Sequence, residues 1–446
     1  MDQIRIKFTN PLRGELIPPP DKSISHRAVI LSALAEGKSV IRNFLHAEDP
    51  LSTVGAFRQM GVEIEVRSQK SEVRSHPPIP PLLRGEQGGV VIINGNGLSG
   101  LRKPQGDIDC GNSGTTMRLL CGVLAGQPFS AMLKGDASLT RRPMRRVMEP
   151  LTQMGAVFKS ENGYPPLSVT GGELKPITYK SPVASAQVKS AILLAGLYCD
   201  GVTTVTEPEK SRDHTERMLK AAGAEIKVEG STARVKGRTV LSPQDLTVPA
   251  DFSSAAFFIA AGILVPGSEI LIKNTGVNPT RTGLLEILQT MGADIRLENE
   301  REVSGEPVAD IYVKHSTLSG IDLGGEMVPK TIDEFPILCV AAALAQGKTK
   351  ITGAKELRVK ESDRIATVAS ELRKMGVNVA ELEDGLIIEG REKLRSAVVQ
   401  SYGDHRIAMS LAVAGLLADG ETVVSDTDCI NTSFPGFMEI MRKLEG

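Results

Sequence analysis

The sequence predicts an α/β (α+β) chain of two domains, three similar units in each, with sheets outside and helices buried inside. Three observations carry that expectation. One Gly-terminated amphipathic helix recurs along the chain, a second helix of small apolar residues recurs ahead of it, and 446 residues exceed one ordinary hydrophobic core.

The first repeat reads Met60-Gly61-Val62, Met154-Gly155-Ala156, Ala222-Gly223-Ala224, Met291-Gly292-Ala293 and Met375-Gly376-Val377. The last residues, Ile440-Met441-Arg442-Lys443-Leu444, fall in step with it. Each copy predicts an amphipathic helix, a glycine that ends it, and a strand such as Val62-Glu63-Ile64-Glu65-Val66. The second repeat is a run of small apolar residues ending at Gly37, Gly126, Gly201, Gly267, Gly347 and Gly420, followed by a β-rich stretch. Runs such as Ala341–Ala345 and Leu411–Leu417 are apolar nearly all round, which predicts burial on every side. One unit of about 70 residues therefore holds a buried helix, a strand, a second helix and further strands, six times over.

The units divide as residues 1–20 plus 248–446 for one discontinuous domain and 21–247 for the other, with crossings near Pro18–Pro20 and near Pro249. Residues 68–89, with Pro77, Pro78, Pro80 and Pro81, lack periodicity and are expected to be a mobile surface insertion. Another long interval, 298–326, contains Ile311-Tyr312-Val313, which reads as an added strand.

Composition narrows the function. A net charge of −1 argues against a nucleic-acid or membrane surface while allowing a local basic cluster. The apolar run Ala255–Val265 is too short to span a bilayer, and Met1-Asp2-Gln3-Ile4-Arg5 is not the start of a signal peptide. Five cysteines without a CxxC pair read as reduced thiols of a cytoplasmic protein. No cofactor motif and no metal-ligand spacing is present, so neither a cofactor nor a metal is expected.

Polar residues collect where the apolar helices begin: Asp21-Lys22-Ser23, Gly111-Asn112-Ser113-Gly114-Thr115, Ser185-Ala186-Gln187, Asp251-Phe252-Ser253-Ser254, Ile332-Asp333-Glu334 and Gly403-Asp404-His405-Arg406. Asp21 or Ser23 can cap the first of these helices, and Asp251 to Ser254 read as caps alone. Arg27, Arg118, Lys189 and Arg406 lie within about one turn of a helix start, where the dipole disfavours cations. Such cations are expected to meet an anion. The loop Lys360-Glu361-Ser362-Asp363-Arg364 alternates charges, as a site combining anion binding with proton transfer requires. Arg141, Arg145 and Arg146 read as solvated surface charges. Lys22, Arg27, Arg142, Lys360, Arg364 and Arg406 would suit a cleft for two small polyanions, with direct group transfer between them.

Pro20–Arg27, Gly111–Thr115, Arg142-Pro143, Ser185–Gln187, Arg358–Arg364 and Asp404–Arg406, in this order along nearly the whole chain, resemble the EPSP synthase family, 3-phosphoshikimate 1-carboxyvinyltransferases, in its class II branch. The resemblance implies the enolpyruvyl transferase fold: a two-domain inside-out α/β barrel of six βαβαββ repeats, three per domain. It implies transfer of the enolpyruvyl group of phosphoenolpyruvate to the 5-hydroxyl of shikimate 3-phosphate, with release of phosphate, on the way to chorismate and the aromatic amino acids. Carried onto matching positions, Lys22, Ser23, Arg27, Ser185, Gln187, Asp333 and Lys360 would hold shikimate 3-phosphate. Lys22, Gly114, Arg142, Gln187, Arg364 and Arg406 would hold phosphoenolpyruvate. Asp333 would take the hydroxyl proton, and Glu361, with Lys22 as the competing candidate, would protonate the methylene carbon. The partners implied are these small molecules alone, on a monomer that binds neither nucleic acid nor membrane.

The chain departs from the family pattern in places. Thr432-Ser433-Phe434-Pro435 lacks a lysine that some members carry, Ala186 replaces a second serine, Glu356 stands where others have Asn, and Ser211-Arg212 replaces a Ser-x-x-Tyr contact. Two other readings compete. The sister enzyme acting on UDP-N-acetylglucosamine shares the six-unit fold, but the Lys360–Arg364 run favours the shikimate enzyme. A six-unit nucleic-acid clamp would need Lys and Arg in the central turns of its inner helices, where this chain has none.

Overall fold

The structure is a computed structural model that describes residues 2–7, 10–67, 88–325 and 327–445. Residues 68–87 of the proline-rich stretch thus lie outside the described residues, while Gly88 and Gly89, expected to belong to the surface insertion, are buried, and Gly89 opens the strand Gly89–Asn96.

The apolar runs form helices at Lys22–Leu34, Gly114–Ala125, Ala186–Gly196, Phe252–Leu264, Phe335–Ala343 and His405–Gly415. Their entrances explain where they start. Asp21 accepts from the Ile24 N–H at 2.8 Å, so it, and not Ser23, caps the first helix. Ser113 accepts from Thr116, Ser185 from Val188, Asp251 from Ser253 and Asp404 from Arg406. The helix Phe335–Ala343 has no side-chain cap and carries Pro336 in its first turn, where the missing N–H costs nothing. Every residue of Phe252–Leu264 and of Phe335–Ala343 is buried, as helices without a polar face must be.

One stretch shows the repeat in full. Strand Thr178–Lys180 leads into the buried helix Ala186–Gly196, strand Val202–Thr206, the amphipathic helix His214–Ala221 and the hairpin Ile226–Glu229 with Thr232–Lys236. In its sheet the first strand runs parallel to Val202–Thr206, which pairs antiparallel with Thr232–Lys236, itself antiparallel to Ile226–Glu229. The order is βαβαββ. Among the described residues there are six sheets, five of four strands and one of three. The Ile311–Val313 strand is part of Glu306–Lys314, which neighbours Asp294–Val303 in one sheet.

The chain divides into two compact units. One comprises residues 1–19, 250–301 and 307–446, the other residues 20–249 and 302–306. In the second of these, strand Asp245–Thr247 returns to pair in parallel with Glu36–Phe44, and Asp21 N–H donates to the Pro249 carbonyl at 2.8 Å. In the other, Gln3–Ile6 pairs antiparallel with Thr422–Ser425, Arg13–Leu16 runs parallel to Glu269–Gly276, and Asp251 N–H donates to Pro19.

Small residues let the buried helices approach closely. A Cβ on Gly122 would lie 2.2 Å from the carbonyl oxygen of Ala191 on the neighbouring helix, so only glycine fits there. In the other unit Phe257, Phe258, Phe434 and Phe437 form a cluster with ring centroids 5.4–6.0 Å apart. Among the described residues no helix is long and apolar enough to cross a membrane.

Candidate active site

In the unit containing residues 20–249, the helix starts gather seven of the expected site residues. Lys22 opens its helix and its Nζ lies 3.1 Å from Asp49 Oδ2. Asp49 opens a second, amphipathic helix, Glu48–Gln59, and its other oxygen is buried without a hydrogen bond among the described residues. Ser23 follows Lys22 and is half-buried. Arg27 is buried one turn further on and donates to Thr215 Oγ1 at 2.7 Å, Ser190 Oγ at 3.0 Å and the Ser23 carbonyl at 2.9 Å.

Gly114, Arg142 and Gln187 meet around Arg118. Arg118 donates to Gln187 Oε1 at 2.8 Å, and Gln187 Nε2 donates to Thr115 Oγ1 at 2.9 Å, which fixes the amide from both ends. A Cβ on Gly114 would stand 2.6 Å from a terminal nitrogen of Arg118 and 3.3 Å from one of Arg142. Arg142 follows the turn Leu139–Arg141 and donates to Asn112 Oδ1 at 2.7 Å and Ser138 Oγ at 3.1 Å. Ser185 caps its helix and gives its own N–H to Glu207 Oε1 at 2.7 Å.

The Lys22 side is tied to the Gly114 side by hydroxyls. Buried His26 shares a proton with Thr53 Oγ1 at 2.7 Å, Thr53 with Thr116 Oγ1 at 2.7 Å, and Thr116 donates to Ser113 Oγ at 2.8 Å. Burial, with the charges of Lys22 and Arg27 beside it, holds the His26 imidazole well below its ordinary value, so it is neutral.

In the other unit, Asp333, Glu361, Arg364 and Arg406 form a single cluster. Arg364 is 1% exposed; its Nε donates to Asp404 Oδ2 at 2.8 Å and one terminal nitrogen donates to Glu361 Oε2 at 2.7 Å. Burial alone would pull its pKa down, but the Asp404 and Glu361 carboxylates outweigh that and raise it. Its other terminal nitrogen is buried without a hydrogen bond among the described residues, 3.6 Å from an Asp333 carboxylate oxygen. Arg406 donates to the Asp333 carbonyl at 3.1 Å and lies 3.9 Å from the Asp333 carboxylate and 3.8 Å from Glu334. Burial first, and then the Arg364 charge, hold it below the ordinary arginine value. Lys360, half-buried, ends the short 3-10 turn Lys355–Val359 directly before Glu361.

Some expectations change. Lys189 meets carboxylates of its own chain, Glu207 at 2.9 Å and Glu216 at 2.8 Å, so it is not a cation awaiting a ligand. Asp251 does more than cap: it pairs with buried Arg281 at 3.1 Å. Arg141 and Arg145 are exposed, as surface charges should be, while Arg146 is half-buried. Arg118, expected to meet an anion, donates to the neutral amide of Gln187, and Asp49 and Asp404 stand outside the expected site residues. Asp404 was legible only as a cap type, and its contact with Arg364 spans 40 residues of sequence.

The profile of the family described as EPSP synthase (3-phosphoshikimate 1-carboxyvinyltransferase) matches residues 6–441. The 3-phosphoshikimate 1-carboxyvinyltransferase of Geotalea uraniireducens is 52% identical over 446 residues, covering 100% of this chain and 99% of that one. That of Pelotomaculum thermopropionicum is 54% identical over 436 residues, covering 97% and 96%. The solved structure of EPSP synthase from Acinetobacter baumannii superposes with a TM-score of 0.84 at 46% identity, covering 100% of this chain and 98% of that one.

Proposed function

The chain belongs to the EPSP synthase family, and from that premise we propose that it transfers the enolpyruvyl group of phosphoenolpyruvate to the 5-hydroxyl of shikimate 3-phosphate, releasing phosphate. The observation that carries the site assignment is Arg364. A fully buried guanidinium with one terminal nitrogen making no hydrogen bond among the described residues, beside a second arginine, is an anion ligand in waiting.

In this reading Arg364 and Arg406, with Lys22, Gly114, Arg142 and Gln187, hold phosphoenolpyruvate. Lys22, Ser23, Arg27, Ser185, Gln187, Asp333 and Lys360 hold shikimate 3-phosphate. Asp333 accepts the proton of the attacking hydroxyl as its oxygen bonds to C2 of phosphoenolpyruvate. Glu361, with Lys22 as the alternative, gives a proton to C3. The tetrahedral adduct then loses a proton from C3 and expels phosphate, which restores the double bond on the transferred group. No bond to the enzyme is needed. Carboxylates outnumber guanidiniums around Arg364: Asp404, Glu361, Asp333 and Glu334 face Arg364 and Arg406. Glu361, the most exposed of the four, accepts from a terminal nitrogen of Arg364 at 2.7 Å. Positioning of two bound reactants supplies the largest share of the rate.

The test is phosphate release from phosphoenolpyruvate with shikimate 3-phosphate as acceptor, run beside UDP-N-acetylglucosamine. Release with the first acceptor alone supports the reading. Release only with the nucleotide sugar assigns the sister activity, and release with neither overturns the transfer.

A further inference from the structure

Beneath the start of the helix Ala186–Gly196 lies a buried charge cluster that the reaction does not use. Lys189 Nζ sits 2.9 Å from Glu207 Oε2 and 2.8 Å from Glu216 Oε1 and donates to the Ser211 carbonyl at 3.3 Å, so its three protons are all directed. All three side chains are at least 96% buried. Burial alone would lower the Lys189 ammonium, but Glu216 and Glu207 reverse this and raise it. Two carboxylates against one ammonium leave a buried negative charge, which must be met by further donors. Glu207 finds them in the Ser185 N–H at 2.7 Å, the Ser211 N–H at 3.3 Å and the Ser211 hydroxyl at 2.7 Å.

These contacts lead to the substrate residues by two routes. Glu207 fixes the backbone of Ser185, the residue from which the Ser185–Gln187 entrance starts. Glu216 is followed back by Thr215 on the same helix, His214–Ala221. Thr215 Oγ1 accepts from Arg27 Nε at 2.7 Å and shares a proton with Ser190 Oγ at 2.6 Å, and Ser190 accepts from a terminal nitrogen of Arg27 at 3.0 Å. The whole construction lies within the unit of residues 20–249. An ion cluster of this kind contributes little net stability against an apolar replacement, since desolvation offsets the attraction. Its geometric effect is the larger one.

We propose that Lys189, Glu207 and Glu216 are positioning residues for the acceptor substrate: their buried cluster sets Ser185 and, through Thr215, the guanidinium of Arg27. The inference rests on the reading of Arg27 and Ser185 as ligands of shikimate 3-phosphate. It requires no contact between the cluster and any substrate.

The experiment compares steady-state constants of the wild type, Arg27→Ala, Glu207→Gln, Thr215→Val and Thr215→Ser in the full chain. Glu207→Gln and Thr215→Val should each raise KM for shikimate 3-phosphate about ten-fold, the loss of one charge-assisted hydrogen bond. KM for phosphoenolpyruvate and kcat should stay within about two-fold, and Thr215→Ser should restore the wild-type KM. A merely structural role would lower the melting temperature or the active fraction without this split, and that result overturns the proposal. If Glu207→Gln fails to fold, Glu216→Gln, which keeps the side chain's shape and should raise the same KM, takes its place, and an unchanged KM there overturns the proposal. If Arg27→Ala raises the acceptor KM while the others match wild type, the positioning role is wrong and the ligand reading stands. If Arg27→Ala leaves it unchanged, the ligand reading itself falls and takes the inference with it.

Discussion

Adding one methyl group at Gly114 presses first on the contact that holds Gln187. Its Cβ would stand 2.6 Å from a terminal nitrogen of Arg118, and ordinary contact begins at 3.4 Å, so the guanidinium must retreat by about 0.8 Å. Its hydrogen bond to Gln187 Oε1 is 2.8 Å long, and the same displacement carries it beyond bonding distance. A hydrogen bond to a charged group is worth about 1.5–3 kcal/mol, which is about ten- to hundred-fold in an equilibrium constant. Gly114→Ala should therefore raise KM for phosphoenolpyruvate by about that factor at saturating shikimate 3-phosphate. Folding should not suffer. The clash is with the far end of a flexible side chain, which can move aside. The assay is phosphate release with phosphoenolpyruvate varied, beside a thermal melt. Gln187→Ala supplies the control: combined with Gly114→Ala it should cost less than the sum of the two, because the first change has already broken the shared contact. A KM within about two-fold of wild type, or strict additivity in the pair, would refute the argument.

Gly122→Ala should destabilise the protein by about 1–3 kcal/mol through overpacking against the Ala191 backbone, which cannot give way as a side chain can; a shift in denaturant midpoint at constant slope measures it. Asp333→Asn should lower kcat by about 10²–10⁴-fold while shikimate 3-phosphate still binds by calorimetry, and near-normal turnover would remove Asp333 as the base. His26 makes stability depend on acid. Its folded value lies well below 6.5, so below pH 6.5 the unfolded chain takes up a proton that the folded one does not, and stability falls by about 1.4 kcal/mol per pH unit until the folded imidazole titrates. His26→Gln should flatten that slope in melts taken between pH 5 and 7.

The repeat was legible because it rests on local rules. Glycines that end helices, apolar runs without a polar face and cap residues act over a few positions, and they locate every central helix from Lys22–Leu34 to His405–Gly415. What the sequence hid are contacts between entrances. Lys22 finds Asp49 27 residues away, Arg118 finds Gln187 69 away, and Arg364 finds Asp404 40 away. No periodicity marks such pairs, since each depends on which helix start the fold brings beside which. The cap choice at the first helix shows the same limit in small. Asp21 and Ser23 both satisfy the composition rule, and only the backbone turn decides for Asp21.

Cations placed against the helix dipole were the best signal in the sequence, and the structure divides them into different kinds. Lys189 is matched by two carboxylates of its own chain and serves the scaffold. Arg118 donates to a neutral amide and carbonyls, so it orients Gln187. Arg27 donates to the Thr215 and Ser190 hydroxyls and to the Ser23 carbonyl. The fork that Arg27 presents to Thr215 and Ser190 is a feature that charge alone cannot replace. It predicts that replacing Arg27 by Lys, which keeps the charge but loses the planar fork, weakens acceptor binding nearly as much as Arg27→Ala does. If Lys were to restore wild-type affinity, charge alone would suffice, and the hydroxyl pair Thr215–Ser190 would have no role in binding.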